Sequence, residues 1–470
     1  MSDNRRAYSW RFLMPLFMGS SLNPINSTML ATALVPIAAS LHVAVGSTAI
    51  LITALYLASA VAQPTAGKLA EEFGPRRVFL AGIIVVAVGG LLGGLGQSLV
   101  TLVIARVLIG VGTSAGYPSA MLLIRRRAEA VGLTAAPGSV LGGLQITGTV
   151  LGAVGLPIGG LLVDAFGWQA TFFINVPFAL AALTMALIWI PRDAPLKAPQ
   201  GLRGLAERID VIGIAGFAAA MSALLVFLFS LPSPNWLVLA VGLVLSGLLL
   251  AWELRASRPF LDLRLLTRNG ALSRTYLRFG LTMFCAYSIL YGLTQWLQAG
   301  RGVSSREAGL LLLPMSIVSI LITQPVSQRN LVRGPLIVAS AASILGSIGI
   351  LLLGIGSPIA WVVAITLAFG VTLGTASISN QLVLYSSVET AELGTASGLF
   401  RTFVYIGTIA SSAMIGVTFH NGVTDAGLHR IGAIMIAASV FVLFVTLADR
   451  GLHRTSSPAR TSAVPARRAS

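Results

Sequence analysis

The stretch Gly67-Lys68-Leu69-Ala70-Glu71-Glu72-Phe73-Gly74-Pro75-Arg76-Arg77 packs five charges into eleven residues, with uncharged apolar runs, 47–66 and 78–98, on either side. A helix needs about 20 apolar residues to cross the hydrocarbon of a bilayer. The charged stretch therefore reads as a turn at a membrane surface that joins two spans. Moving outward from it, the same test finds further runs at 12–40, 100–123, 139–163, 170–191, 211–231, 236–252, 279–298, 308–327, 335–354, 359–384, 396–419 and 431–448, fourteen in all. The first run is too long for a signal sequence and lacks a small-residue cleavage site, so it is read as a span. In lipid every backbone polar group must be paired inside the chain, and runs of this length make the expected fold an all-α membrane protein with 14 transmembrane helices.

Composition agrees. Of the 470 residues 56% are hydrophobic and 10% charged, and the mean hydropathy is +0.88. An average soluble domain is about 25% charged, so this chain lacks the polar surface to live in water. The net charge of +16 would in a soluble protein suggest nucleic acid. Here an even number of spans puts both termini on one side, and that side holds 26 Lys and Arg against three (Arg301, Arg306 and Arg430) on the other. The positive-inside rule makes the crowded side cytoplasmic, with both termini there. The charge is thus mostly a topology signal, and no nucleic-acid partner is expected. A single cysteine, Cys285, excludes an intramolecular disulfide and a cysteine-built zinc site, and four histidines leave little for another metal site. The 50 glycines fit a bundle whose backbones approach closely.

The longest loops, 192–210 and 253–278, bracket segments 7 and 8. They divide the chain into a six-helix bundle (1–191), cytoplasmic loops carrying two extra helices (192–270), a second six-helix bundle (271–449) and a basic, disordered cytoplasmic tail (450–470). An internal echo supports the division: Gln63-Pro64, Lys68 and Gly74-Pro75 recur as Gln324-Pro325, Arg329 and Gly334-Pro335, in equivalent loops if segments 9–14 repeat segments 1–6. Two halves related by an axis along the membrane normal are a transporter design, with the site at mid-membrane between them.

The opening stretch, with Gly67, Glu71, Gly74, Arg76 and Arg77 between segments 2 and 3, resembles the signature loop of the major facilitator superfamily, with Glu71 where an Asp is usual. Arg106-Val-Leu-Ile-Gly110-Val-Gly112 in segment 4 resembles the family's second motif. Gly155-Leu-Pro157-Ile-Gly159-Gly160 is similar to its antiporter motif, with the proline one place late. Gly167-Trp168 to Asn175-Val-Pro177, Arg208-Ile-Asp210-Val-Ile-Gly213, Pro259-Phe-Leu-Asp262-Leu-Arg264 and Ala308 to Pro314 resemble the fourteen-span drug:proton antiporter branch. The resemblance implies two six-helix bundles plus two central helices, a small-molecule substrate and protons as coupling ion. It also implies that Glu71 faces the start of the helix near Gly394–Ala396, where a helix N-terminus favours an anion, and so latches the cytoplasmic side shut.

Charge inside hydrocarbon is costly and marks function. The fourteen runs hold only Arg106 and Arg401, and all fifteen acids fall outside them. Where the branch resemblance implies an Asp in segment 1 this chain has Asn26, and where it implies an Arg in segment 13 it has Val404, with Arg401 three residues earlier on roughly the same face. Arg401 either snorkels to water or lines the cavity. Uncharged polar residues inside the runs complete the candidates: Asn26, Thr28 and Thr32; Tyr56 and Gln63; Gln145; Gln295 and Trp296; Asn380 and Gln381; and Tyr405. Each either bonds a neighbouring helix or touches substrate. Asn26, Gln145 and Asn380 are favoured for substrate because the resemblance places their helices along the cavity. Asp164 lies near the outer surface, either as a proton acceptor or as an interfacial group.

The chain has no Walker-type loop, and its Gly-x-Gly runs lie inside spans, so neither nucleotide-driven transport nor an enzyme is expected, and no cofactor. The leading function is a monomeric secondary transporter in the inner membrane, a multidrug-type exporter working by alternating access. Two buried arginines without a buried acid favour anionic or neutral substrates. An uncoupled, lipid or anionic-metabolite transporter or flippase is the alternative within transport. A non-transporting sensor or scaffold is the alternative outside it.

Overall fold

The computed structural model describes residues 8–133, 137–194, 210–230, 234–256, 259–261, 263–329, 331–388 and 393–453. The expected basic tail (from 454 on) and most of the loop before segment 7 lie outside the described residues. Among those described, the regular structure is entirely helical.

The first group of helices is α1 (Trp10–Met29), α2 (Leu34–Ser40), α3 (Ala49–Phe73), α4 (Pro75–Leu95), α5 (Leu99–Ser114), α6 (Gly116–Ala130), α7 (Gly138–Phe166), α8 (Ala170–Phe173) and α9 (Asn175–Trp189). An accessory pair follows, α10 (Val211–Phe229) and α11 (Trp236–Glu253), then the short α12 (Leu263–Arg268). The second group is α13 (Gly270–Tyr287), α14 (Ser305–Gln328), α15 (Arg333–Leu351), α16 (Ile359–Ser387), α17 (Leu393–Thr418) and α18 (Asp425–Ala448).

Among the described residues, twelve helices are long and apolar enough to cross a membrane. The two expected spans that this criterion omits are the first and the ninth, and each has a physical reason. The first is broken by a 3₁₀ turn at Leu30–Thr32 and carries Ser20, Ser21, Asn23, Asn26, Ser27 and Thr28 along its middle. The ninth begins with Arg274 and Arg278 and continues beyond α13 as two π-helical segments, Ser288–Leu293 and Trp296–Gly300. The expected count of fourteen uniform apolar spans thus becomes twelve plus two irregular, polar ones.

The charged turn that opened the sequence reading is tighter than expected. α3 runs through Glu71 and Glu72, and the chain reverses at Gly74 alone, whose φ of 99° is in the left-handed region that glycine adopts without strain. Pro75 then starts α4 at a position where its missing N–H costs nothing.

Within the first group α1 packs on α7 and α9, and α5 packs on α3 and α4. Within the second, α16 packs on α14 and α15, α18 on α15, and α13 on α17, α16 and α18. Two seams join the groups, α3 against α17 and α7 against α14. The accessory pair packs on itself and through α10 touches α3 and α17. Its outward side is bare, with Leu237, Leu243, Val244 and Leu248 exposed, as expected for helices that face lipid.

The seams close most tightly at the end away from the termini. A Cβ on Gly46 would stand 2.6 Å from Gly416 O, one on Gly160 2.5 Å from Ser305 O, and one on Gly309 2.7 Å from Leu156 O. These are main-chain contacts between the two groups, which only glycine permits. At the end that carries the termini, the described contacts between groups are made by side chains.

Two expectations about charge are corrected. Arg278 belongs to the interior of α13 and is only 1% exposed, so Arg106 and Arg401 are not alone. Nor are all acids in solvated loops, since Glu253, Asp210 and Asp449 are buried. Burial is tolerated because each has partners. Asp449, just past α18, pairs with Arg274 at 2.9 Å and Arg278 at 3.6 Å.

Candidate functional site

Where α3, α13 and α17 meet, four tyrosines gather at the seam between the groups. Tyr56 of α3 lies edge-on to Tyr287 of α13, with ring centroids 5.6 Å apart, and 5.7 Å from Tyr405 of α17. Tyr287 stacks on Tyr291 at 5.8 Å. The Tyr56 and Tyr291 hydroxyls are 3.5 Å apart, and Tyr291 donates to Ser27 O of α1 at 3.0 Å. Tyr405 donates to Gln63 Oε1 on α3. Tyr287 and Tyr291, one α-helical turn apart, straddle the point where α13 gives way to the π-helical segment, and such segments frequently sit at functional sites.

Arg106 of α5 lies beside this cluster, within electrostatic reach of Tyr56 and Tyr291. It is 2% exposed. Its Nε donates to Leu51 O at 3.3 Å and its Nη1 to Asn26 O at 3.4 Å, while Nη2 is buried without a partner. Gln295, four residues beyond Tyr291, is fully buried and neither atom of its amide has a partner. Buried polar groups are nearly always paired, so Arg106 Nη2 and the Gln295 amide keep unused hydrogen-bonding capacity.

Arg401 turns into the seam. Its guanidinium lies 4.2 Å from the centroid of the Tyr117 ring on α6 and reaches the Tyr405 hydroxyl. It therefore bridges the two groups nearer the end that carries the termini.

Of the candidates from the sequence, Tyr56, Gln63, Arg106, Arg401 and Tyr405 are brought to this seam, and Gln295 shares its helix. Others are committed elsewhere. Asn26 donates to Asn175 Oδ1 at 2.6 Å and to Leu22 O, tying α1 to α9. Thr28 bonds its own helix and fills the notch left by Gly155 of α7. Asn380 accepts from Arg278 Nε at 2.8 Å and so belongs to the Asp449 cluster. Gln381 donates to Tyr385, and Trp296 Nε1 donates to Asp425 at the start of α18. The Gln145 side chain lies outside the described residues, and Asp164 is exposed at the end of α7.

At the signature turn the organising acid is Asp193, which sequence reasoning missed. It is 4% exposed, accepts from the backbone N–H groups of Arg76 and Arg77, and pairs with Arg126 at 3.6 Å. An anion at the first turn of α4 is stabilised by the helix dipole. Arg76 donates to Leu187 O and Arg77 to Phe73 O. Gly67 faces Pro118 of α6, where an added Cβ would make an ordinary contact at 3.7 Å. Glu71 is exposed, and its carboxylate meets no partner among the described residues. Tyr287 and Tyr291 were also missed. A tyrosine in an apolar run gives no sign of its direction until the π-helical register is known.

The sequence profile of the Major Facilitator Superfamily matches residues 16–412. The chain belongs to the Major Facilitator Superfamily. It is 32% identical over 95% of its length to the uncharacterized MFS-type transporter YwoD of Bacillus subtilis, of which the match covers 98%. It is 31% identical over 91% of its length to the tetracenomycin C resistance and export protein of Streptomyces glaucescens, of which the match covers 80%. Among solved structures, a POT family transporter in complex with 5-aminolevulinic acid superposes with a TM-score of 0.68, over 93% of this chain and 96% of the other, at 13% identity. This superfamily chain is thus a multi-pass membrane transporter and not an enzyme.

Proposed function

We propose that this superfamily member exports small organic compounds in exchange for protons, binding them at the seam between Tyr56, Tyr287, Tyr291, Tyr405, Arg106 and Gln295. The two helix groups are the moving halves, residues 1–191 and 271–449. Both termini face the cytoplasm from the inner membrane, and the protein works as a monomer. Support for export comes from the likeness to a resistance and export protein, and support for the orientation from the basic residues crowded on the terminal side.

The observation that carries the substrate reading is the Arg106 guanidinium, buried beside four tyrosines with Nη2 unpaired. Tyrosine rings offer flat apolar faces and hydroxyls to a ring-bearing compound. An unpaired cation prefers an anion or a neutral acceptor to another cation. The test is a matched pair of fluorescent compounds that share one ring system, one carboxylated and one bearing a quaternary ammonium. Purified protein should bind and, in liposomes, move the carboxylated member, with Arg106→Gln weakening its binding about 10- to 100-fold, the worth of a hydrogen bond to a charged group. Preference for the ammonium member, or unchanged affinity in Arg106→Gln, would refute the reading.

The Arg401–Tyr117 contact serves as the side-chain gate at the cytoplasmic end. The turn around Asp193, with Gly67, Glu71, Gly74, Arg76 and Arg77, forms the latch surface that meets α17 when that end closes.

A further inference from the structure

The accessory helix pair carries two buried carboxylates at its cytoplasmic joint, outside the seam. Asp210 caps α10, and Glu253 ends α11. A Cβ placed on Gly213 would meet Asp210 Oδ2 and Glu253 Oε1 together, the latter at 2.6 Å, so the two carboxylates face each other across that glycine.

Their environments differ sharply. Asp210 accepts three hydrogen bonds, from Gly213 N at 3.0 Å, Trp252 Nε1 at 2.9 Å and Phe260 N at 2.7 Å. Glu253 accepts one, from Leu261 N to Oε2 at 3.0 Å. Its Oε1 is buried without a donor, in a side chain that is 0% exposed. A buried oxygen with no donor beside a second carboxylate is the place where a proton is held rather than lost, because two neighbouring carboxylates do not readily both ionise. A proton on Oε1 turns that atom from an acceptor without a donor into a donor.

The charged groups acting on Glu253 are Asp210 and Lys68 of α3. Lys68 also donates to Pro259 O at 3.5 Å, which ties the end of α3 to the segment that supplies Phe260 and Leu261. Lys68 thus stands at the joint between α3 and the accessory pair.

We propose that Asp210 and Glu253 share one proton, held on Glu253, and that this pair is a proton-binding site of the transport cycle. When Lys68 approaches, the Glu253 O–H bond breaks, the proton passes to cytoplasmic water, and the second negative charge is balanced by the ammonium. When Lys68 withdraws, Glu253 takes a proton back from cytoplasmic water, so the pair responds to cytoplasmic pH and carries no proton across the membrane. It rests on the rocking of the two helix groups proposed above.

The test uses the full chain in liposomes and needs no substrate. Infrared spectroscopy during a pH titration reads the protonated carboxyl, and spin labels at the cytoplasmic ends of α3 and α17 read the rocking. Glu253→Gln, which keeps the shape of the protonated acid, should remove the carboxyl band and make the spin-label distances independent of pH. Lys68→Gln should raise the midpoint of the band by about one pH unit, the effect of removing a nearby cation. A band that persists in Glu253→Gln overturns the proposal even if transport remains proton-coupled. A band that is lost while the parent's distances ignore pH refutes the link to the cycle, leaving the Arg106 reading to stand or fall on its own binding assay.

Discussion

Replacing Gly160 by alanine should open the end of the molecule away from the termini. Gly160 lies on α7 against the first turn of α14, and a Cβ there would stand 2.5 Å from Ser305 O, 3.0 Å from Arg306 Cα and 3.1 Å from Ser305 C. Non-bonded carbons rest at about 3.5–4.0 Å, and all three obstacles are main chain, so no side chain can swing aside. Relief requires α7 and α14 to part. Overpacking of this kind costs about 1–3 kcal/mol, and only the conformation with this seam closed bears the cost. The equilibrium between closed and open forms should therefore shift roughly 5- to 150-fold toward open.

The assay is pulsed electron spin resonance between labels at Phe166 and Leu310, exposed positions on the two helices. The native thiol does not interfere, because Cys285 is 1% exposed. Gly160→Ala should populate a longer distance that the parent lacks. Gly142→Ala, on the same helix but with nothing within 4 Å of its Cβ, should not. Identical distributions in the parent and both variants would refute the claim that this glycine holds the seam shut.

Three further outcomes are expected. Arg401→Gln removes the ring contact with Tyr117, worth about 0.5–2 kcal/mol, and should raise thiol labelling of a cysteine placed at Gln381 about 2- to 30-fold; unchanged labelling would show that the contact does not gate. Asp193→Ala strips the α4 N-terminus and Arg126 of their shared anion and should cost about 1–2 kcal/mol, read as a lower Tm in detergent, whereas Glu71→Ala, at an exposed carboxylate, should leave Tm unchanged. Trp296→Phe leaves Asp425 Oδ1 without its donor and should cost about 1–3 kcal/mol, again read as Tm, while affinity for the carboxylated probe stays at the parent's value.

Much of the fold was legible because hydrophobic length and charge placement are one-dimensional signals. The spans at 47–66 and 78–98 reappear as α3 and α4 with shifted ends, because the charged C-terminal end of α3 stays helical until Gly74 relieves the turn. The first and ninth spans read poorly for a physical reason: their polar residues and irregular turns lower the apolar signal where the seam is built. The site was legible only in part. Arg106 was visible as a charge in an apolar run. Asn26 and Asn380 carried the same polar signal, yet each is tied to a partner more than 100 positions away in the chain, Asn175 and Arg278, and no local pattern encodes such a pairing. Arg278 escaped notice because it lies one residue outside the apolar run, although a helix places it well inside the packed group.

By itself the sequence determined that the chain is a bundle of membrane helices with its positive charge on one side, because the cost of burying charge and unpaired backbone in lipid depends on composition and length alone. Its motifs resembled the superfamily to which the chain belongs. Only the tertiary structure decided which polar groups are already paired and which are left wanting a partner. That distinction separates Asn26 from Arg106, and Asp210 from Glu253. It depends on which helices meet and in what rotation, and so on contacts that neighbouring residues in the chain do not specify.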